Sequence, residues 1–312
     1  MIVRDSKTED IPAIIGLLQS SLGETFLKKT EATWCYKHVT NPFGISPVLV
    51  AEEAGVLIGV RAFMQWRWQI NHAVWTSYRA VDTATHPNHQ GKGIFKKLTL
   101  QALDFIQGKG DCFVFNTPNA QSRPGYLKMG WQEVGKIKVA LVPVFLYRFA
   151  VFFTKKRSSK AIIPIELDAL CEIHNCHLVS KQVLFTPKSA AYLKWRYEEN
   201  PLQDYFVFST PDCYVAMYVK KNRFFKELRV VETIGSFEPK NNTAIRQAII
   251  TFALENRCWF VTTANKNLFR FGFYGAFGPK LTFKPLTSSE PFIKKALTIE
   301  NWFYSLGDLE LF

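Results

Sequence analysis

Apolar and polar positions along the first half of the chain follow two alternating periods. From Ile11 to Leu22 the apolar residues recur at helical spacing, with Ser6, Thr8 and Asp10 just ahead of them as capping candidates. Val48-Leu-Val-Ala-Glu and Val56-Leu-Ile-Gly-Val-Arg-Ala-Phe read as two strands joined through Ala54-Gly55. Trp66 to Val74 reads as a further strand edge, and Tyr78 to Thr85 as a strand that stops at His86-Pro87. A helix follows from Ile94 to Gln107, with Gly108 at its stop. Cys112-Phe-Val-Phe is a short buried strand, Tyr126 falls in a short helix, and Trp131 to Leu141 reads as a last strand. This order predicts an α/β (α+β) fold, a mixed central sheet flanked by helices.

The second half repeats the first. Trp34-Cys-Tyr-Lys-His-Val-Thr-Asn41-Pro42 resembles Trp195-Arg-Tyr-Glu-Glu-Asn200-Pro201. A strand-like pair follows each, Val48 to Phe63 and Tyr205 to Val219. Ala244 to Asn256 matches the helix Ile94 to Gln107, and Val261-Thr-Thr matches Val114-Phe-Asn116. Phe269-Arg-Phe-Gly272-Phe273 matches Leu127-Lys-Met-Gly130-Trp131. The expected organisation is two tandem copies of one domain, 1–142 and 162–298. A connector helix at 143–161 joins them, and a tail at 299–312 follows.

Composition narrows the classes. At 312 residues with 47% apolar and 21% charged side chains, the chain has a packed core available and is not a disordered polymer. Its net charge of +13 suggests an anionic partner. The distribution of that charge removes nucleic acid from the expected partners. Between 136 and 165 there are seven basic residues and no acidic one, so much of the excess sits in the connector. The apolar stretch Val139 to Phe153 contains Arg148 and falls short of the roughly 20 residues a spanning helix needs. Residues 139–160 therefore read as a helix buried between lobes or as a peripheral membrane contact. The first residues show no apolar leader, and six scattered cysteines need no disulfide framework, so a reducing cytoplasm is expected.

The sharpest local chemistry lies in Val81-Asp-Thr-Ala-Thr85-His-Pro87-Asn-His-Gln90-Gly91-Lys92-Gly93-Ile94-Phe95. A strand ends at a proline, a glycine-bearing loop follows, and a helix starts. Converging main-chain N–H groups and the positive helix end make a site for a pyrophosphate, with Lys92, Lys96 and Lys97 adding charge. Neither the Gly-x-Gly-x-x-Gly nor the P-loop spacing is present. Gln90-x-x-Gly93 with Gly91, together with Asn116 and Tyr126-Leu-Lys-Met-Gly130-Trp131 at the appropriate distances, resembles the GCN5-related N-acetyltransferases (GNAT). The motifs cover about residues 80–131.

The resemblance implies two tandem GNAT-like folds and acetyl-CoA as acyl donor, with no metal. It implies that Thr83, Ala84 and Thr85 bind the pantetheine arm. Gly91, Lys92, Gly93, Ile94, Phe95 and Lys96 would bind the pyrophosphate, with Gln90 opening that loop. Asn116 stands where the family contacts the cofactor arm, and Tyr126 is the implied general acid. The expected acceptor is the amine of a small molecule, an amino sugar or a peptide. For the general base, Asp82, Glu24 and Glu31 stand open. So do Asp308, Glu310 and the terminal carboxylate, because in acetyltransferases of the enhanced-intracellular-survival type the C-terminus reaches the active site. The second copy has Glu232-Thr-Ile-Gly235-Ser-Phe-Glu238 where the loop belongs, which implies a lobe without cofactor binding. Cys171, His174, Cys176 and His177 lack the pairwise spacing of a zinc site. A Fem-type peptidyltransferase and a non-catalytic CoA-binding protein are the alternative readings.

Overall fold

The computed structural model describes residues 1–22, 29–147, 164–235 and 243–309. In chain order the first elements are β1 (Ile2–Asp5), α1 (Ile11–Leu22), α2 (Glu31–His38), β2 (Val48–Glu53), β3 (Val56–Ile70) and β4 (Ala73–Thr85). Then come α3 (Ile94–Gln107), β5 (Cys112–Asn116), α4 (Arg123–Lys128), β6 (Gln132–Lys136) and β7 (Val139–Pro143). The second half contains α5 (Pro164–Ser180), β8 (Leu184–Phe185), α6 (Ala190–Leu193), β9 (Phe206–Thr210), β10 (Cys213–Lys221) and β11 (Lys226–Gly235). It continues with α7 (Thr243–Glu255), β12 (Phe260–Thr263), β13 (Phe273–Gly275), β14 (Lys280–Leu286) and α8 (Glu290–Ala296).

Two compact units result, and each is assembled from separate stretches of chain. Met1–Gly135 joins Pro279–Trp302 in the first; Lys136–Gly278 joins the stretch beginning at Phe303 in the second. The main path of the first sheet runs β1-β2-β3-β4-β5-β14-β6, and the second sheet runs β13-β7-β12-β11-β10-β9. Both follow one plan. An antiparallel meander leads to a single parallel pair, β4 with β5 and β11 with β12. An antiparallel strand then lies beyond the parallel pair, and a short strand closes the edge. In each sheet that inserted strand comes from the other half of the sequence: β14 enters the first sheet and β7 the second. The single strand expected over Trp131–Leu141 is thus two strands serving two sheets.

The first sheet is buried on both faces, which explains the nearly unbroken apolar reading of β3. Ile11, Ile14, Leu17 and Leu18 of α1 pack on Val50, Val60 and Ala84 on one face. Ile94, Leu98, Ala102 and Ile106 of α3 pack with Ile58, Phe63, Val114, Tyr126 and Trp131 on the other. A Cβ at Gly59 would stand 2.8 Å from side-chain atoms of Ile94 and Leu98, so a glycine there lets α3 sit close to the sheet. The 279–302 stretch adds aromatic rings to the same unit. Trp302 packs edge-on against Trp68 (4.6 Å), and Phe292 stacks on Trp75 (3.8 Å).

The connector helix expected over 143–161 lies mostly outside the described residues; Val144–Tyr147 form one 3-10 turn. Among the described residues no helix is long and apolar enough to cross a membrane.

Candidate functional site

The parallel pair β4–β5 is short. Thr76 to Arg79 face Cys112 to Phe115, whereas β4 runs on to Thr85 paired only with β3 on its other side. Asp82 is an extra residue in β4, between Val81 opposite Ala62 and Thr83 opposite Arg61, and its φ of 37° is left-handed. A bulge of this kind bends a strand and ends its pairing. On the far side Asn116 closes β5 against β14: Thr282 Oγ1 donates to Asn116 Oδ1 (2.5 Å). The two strands therefore part beyond Arg79. Thr83, Ala84 and Thr85 lie along the opening, where one edge of the β4 backbone has no strand to bond among the described residues.

The loop that follows is shaped by two glycines. Gly91 and Gly93 have φ of 76° and 77°, and a Cβ at either would meet nothing within 4 Å. Gly93 caps α3 without any side-chain bond, which leaves the first N–H groups of that 14-residue helix available. Gln90 Nε2 donates back to the Thr85 carbonyl (3.4 Å), tying the loop to the strand end. Lys92, Lys96 and Lys97 are exposed around it, while Ile94 is buried in the core. This combination of free donors, cationic side chains and open space fits a pyrophosphate.

Tyr126 is buried on α4, and the residues after it explain its fixed position. Gly130 takes φ 87°, which turns the chain back so that Trp131 N–H donates to the Tyr126 carbonyl (3.1 Å). The Tyr126 ring packs edge-on between Trp131 (5.0 Å) and Phe95 of α3 (5.8 Å). Its hydroxyl accepts from Arg61 Nη1 at 2.9 Å. Arg61 is fully buried, lies over the Phe63 ring (4.6 Å), and its Nε and Nη2 have no hydrogen-bond partner among the described residues. Sequence reasoning passed over this arginine. The signal was present as a lone charge inside the apolar run Val56–Phe63.

On the opposite face of the bulge, Asp82 meets α2. Its carboxylate accepts from Lys37, lies 3.0 Å from His38 Nε2 and is 3.5 Å from Lys29 Nζ. Burial pushes the Asp82 carboxyl up, but Lys37, His38 and Lys29 overrule it and hold it well below the usual carboxylate range. It is accordingly a poor proton acceptor near neutrality. Burial pushes His38 down against the pull of Asp82, so the ring is held neutral, and its Nδ1 is buried with no partner among the described residues.

The second unit carries the same frame with different residues. Thr30 and Ser189 both cap their helices by accepting from the N–H three residues on, each 11 positions before the Asn of an Asn-Pro pair. Asn41 and Asn200 then make the same turn, accepting from the N–H of Phe43 and Leu202. In that register Lys188 matches Lys29 and Tyr197 matches His38. The β11 bulge lies between Val230 and Glu232, so Glu232 matches Thr83 and its partner Ala216 matches Arg61. Counting back from Gly272 places the buried Leu268 where the first unit has Tyr126.

Lys188 Nζ donates to Glu232 (2.7 Å) and Asp308 (2.8 Å), and Tyr197 and Ser305 also donate to Glu232 (both 3.0 Å). Burial works against the Lys188 ammonium, but these two carboxylates raise it. Thus Asp308, one of the candidate bases, is a buried structural partner in the second unit.

Among the other residues singled out, Glu31 is exposed. Glu24, Glu238, Glu310 and the terminal carboxylate lie outside the described residues. Cys171 and His174 are buried while Cys176 and His177 are exposed, and the described residues contain no group of three or more side chains suited to a metal.

Residues 2–134 match the family model of the acetyltransferase (GNAT) domain. A 64-residue stretch is 38% identical to the L-methionine sulfoximine/L-methionine sulfone acetyltransferase of Salmonella typhimurium; it spans 19% of this chain and 32% of that protein. Over 92% of this chain and 73% of its own, a GCN5-related N-acetyltransferase from Anabaena variabilis superposes with a TM-score of 0.65 at 14% identity. N-myristoyltransferase of Saccharomyces cerevisiae, solved with myristoyl-CoA bound, covers 91% of this chain and 82% of its own with a TM-score of 0.56 at 10% identity. These two likenesses concern the fold.

Proposed function

We propose that this chain, whose residues 2–134 match the GNAT acetyltransferase domain, moves an acetyl group from acetyl-CoA to a primary amine by direct attack. The observation that carries this reading is the opening between β4 and β5, with the glycine loop at its end and Tyr126 held by Arg61 on one face.

In this reading the β4 backbone along Thr83, Ala84 and Thr85 hydrogen-bonds the pantetheine arm and the thioester carbonyl, the Thr85 carbonyl being already taken by Gln90 and Ser21. Main-chain N–H groups across Gly91, Lys92, Gly93, Ile94, Phe95 and Lys96 receive the pyrophosphate. Gln90 holds the loop to β4, and Asn116 borders the cofactor arm from β5. The amine nitrogen adds to the thioester carbon, and the C–S bond breaks as the tetrahedral adduct collapses. Tyr126 Oη gives its proton to the leaving thiolate, and the Arg61 guanidinium stabilises the phenolate that remains until solvent returns a proton. The proton lost by the amine passes to His38 Nδ1, a neutral imidazole oriented through Nε2 by Asp82. Acid and base then stand on opposite faces of the same opening.

The acceptor is a small-molecule, amino-sugar or peptide amine. The Salmonella relative acts on methionine derivatives, which puts free amino acids first in a panel. A cytoplasmic location belongs to the same proposal, since all six cysteines are free thiols.

Calorimetry with acetyl-CoA, followed by thiol release across the amine panel, tests the reading. Binding with release supports it. Absence of binding overturns it. Binding with no release on any amine favours a CoA-sensing protein, and turnover with aminoacyl-tRNA alone favours a Fem-type peptidyltransferase.

A further inference from the structure

The second unit gathers exposed aromatic side chains at one end of its sheet, the end opposite the carboxyl termini of β11 and β12. Backbone bonds fix their proximity. Lys221 pairs with Lys226 at the base of the β10–β11 hairpin, whose tip holds Arg223 and Phe224. Trp259 N–H donates to the Lys226 carbonyl (2.8 Å), and Val144 N–H donates to the Trp259 carbonyl (2.9 Å). Tyr147 Oη accepts from Phe271 N–H and donates to its carbonyl, both at 3.0 Å. Phe273 lies opposite Leu141 on the edge of β7. Four chain segments therefore deliver Phe145, Leu146, Phe224, Trp259, Phe271 and Phe273 to one surface.

Burial would ordinarily claim such residues. Instead Phe224 is 79% exposed, Phe145 68%, Phe273 67% and Trp259 61%. A cluster of this size marks a surface that meets something else. The charge around it indicates what. Lys221, Arg223, Arg257 and Arg270 are exposed beside these rings. Arg223 and Arg270 lie over the rings of Phe224 (5.2 Å) and Phe271 (5.5 Å). Against them stand Glu255 and Glu227, the latter already bonded to Arg229 at 3.0 Å. Aromatic rings beside arginines, on loops held by a rigid sheet, suit the boundary of an anionic bilayer. The rings enter the acyl boundary and the cations stay among the headgroups. The segment following Tyr147 carries five basic residues and no acidic one from 148 to 163; it lies outside the described residues, and the surface stands without it.

We infer that this end of the second unit docks peripherally on an anionic lipid surface. The second lobe then serves as a membrane foot for the chain, a role independent of the acyl-transfer reading. Co-sedimentation of the full chain with phosphatidylcholine vesicles, with and without phosphatidylglycerol, tests it. Binding is expected only to the anionic vesicles, falling with added salt. Each of Phe224→Ser and Arg223→Glu, both on an exposed hairpin tip, is expected to weaken it about tenfold, about 1.4 kcal/mol. Brominated lipids should quench tryptophan emission in the wild type, and Trp259→Phe should remove that quenching. Equal binding to neutral vesicles, or no quenching change in Trp259→Phe, overturns the inference. So does concentration-dependent self-association abolished by Phe224→Ser in a chain that ignores vesicles, which would assign the surface to a second copy.

Discussion

The two units share a plan and differ at the positions to which a catalytic role is proposed in the first. Where the first unit has Arg61, Tyr126 and His38, the second has Ala216, Leu268 and Tyr197. The first leaves buried polar atoms unused: the Arg61 donors Nε and Nη2 and the His38 acceptor Nδ1 are unpartnered among the described residues. The second ties its buried charges to one another, with Lys188 bonded to both Glu232 and Asp308. An unpaired buried polar group costs stability, on the order of 1–3 kcal/mol, and a fold tolerates it where a ligand will complete the bond. The pair shows one frame that keeps its buried guanidinium and imidazole only partly bonded and another that closes its buried charges into a bonded cluster.

Removing the Lys188 ammonium should have the largest effect on that contrast. Lys188→Met leaves two buried carboxylates facing each other, and a loss of about 3–5 kcal/mol in denaturant unfolding is expected. The matching Lys29→Met, at a part-exposed ion pair, should cost under about 1 kcal/mol. Equal losses would mean that the two clusters are structural alike. Next comes the acid. Tyr126→Phe should lower kcat about a hundredfold with acetyl-CoA affinity retained, whereas Leu268→Met in the second unit should leave turnover intact.

Smaller again is the loop. Gly93→Val forces a β-branched residue into the left-handed region, a strain of about 1–3 kcal/mol, so acetyl-CoA should bind roughly tenfold or more weakly. Wild-type stoichiometry should be one per chain; a value of two would show that the second unit kept a donor site. The mildest test is pH. His174, in the second unit, is pushed down to about 3, first by burial and then by Lys188. Above about pH 6.5 the histidine is neutral whether folded or unfolded. Below that the unfolded chain takes a proton that the fold refuses, so stability should decline from 6.5 toward 3. His174→Leu should flatten that decline in pH-dependent melting.

Much of the first unit could be read from its sequence, because local rules decide it. The limits of α1 and α3 follow from periodicity and glycine stops, and Tyr126 is set by a glycine that must end its helix four residues later. What stayed hidden depends on contacts distant in sequence. The alternation in β7 says strand and not which sheet. β14 contains Pro285, which by local rules belongs at an edge, yet the strand lies between β5 and β6. His38 and Asp82 are 44 residues apart, and no period links them. The bulge that brings them together shows only when both strands are paired.

The exchange of β7 and β14 also imposes an order on synthesis. A ribosome finishes β6 and must add more than 140 residues before β14 emerges to cover β5. At ordinary elongation rates of about 5–20 residues per second, that wait is on the order of ten seconds. Throughout it, the wholly buried strand Cys112–Asn116 has a bare edge, the kind of template on which nascent chains aggregate. The second sheet, by contrast, receives its borrowed strand before the rest of it is made. Of the two sheets, the one that leads into the glycine loop is therefore the later to receive its inserted strand, and a message truncated before β14 yields a first sheet that cannot close.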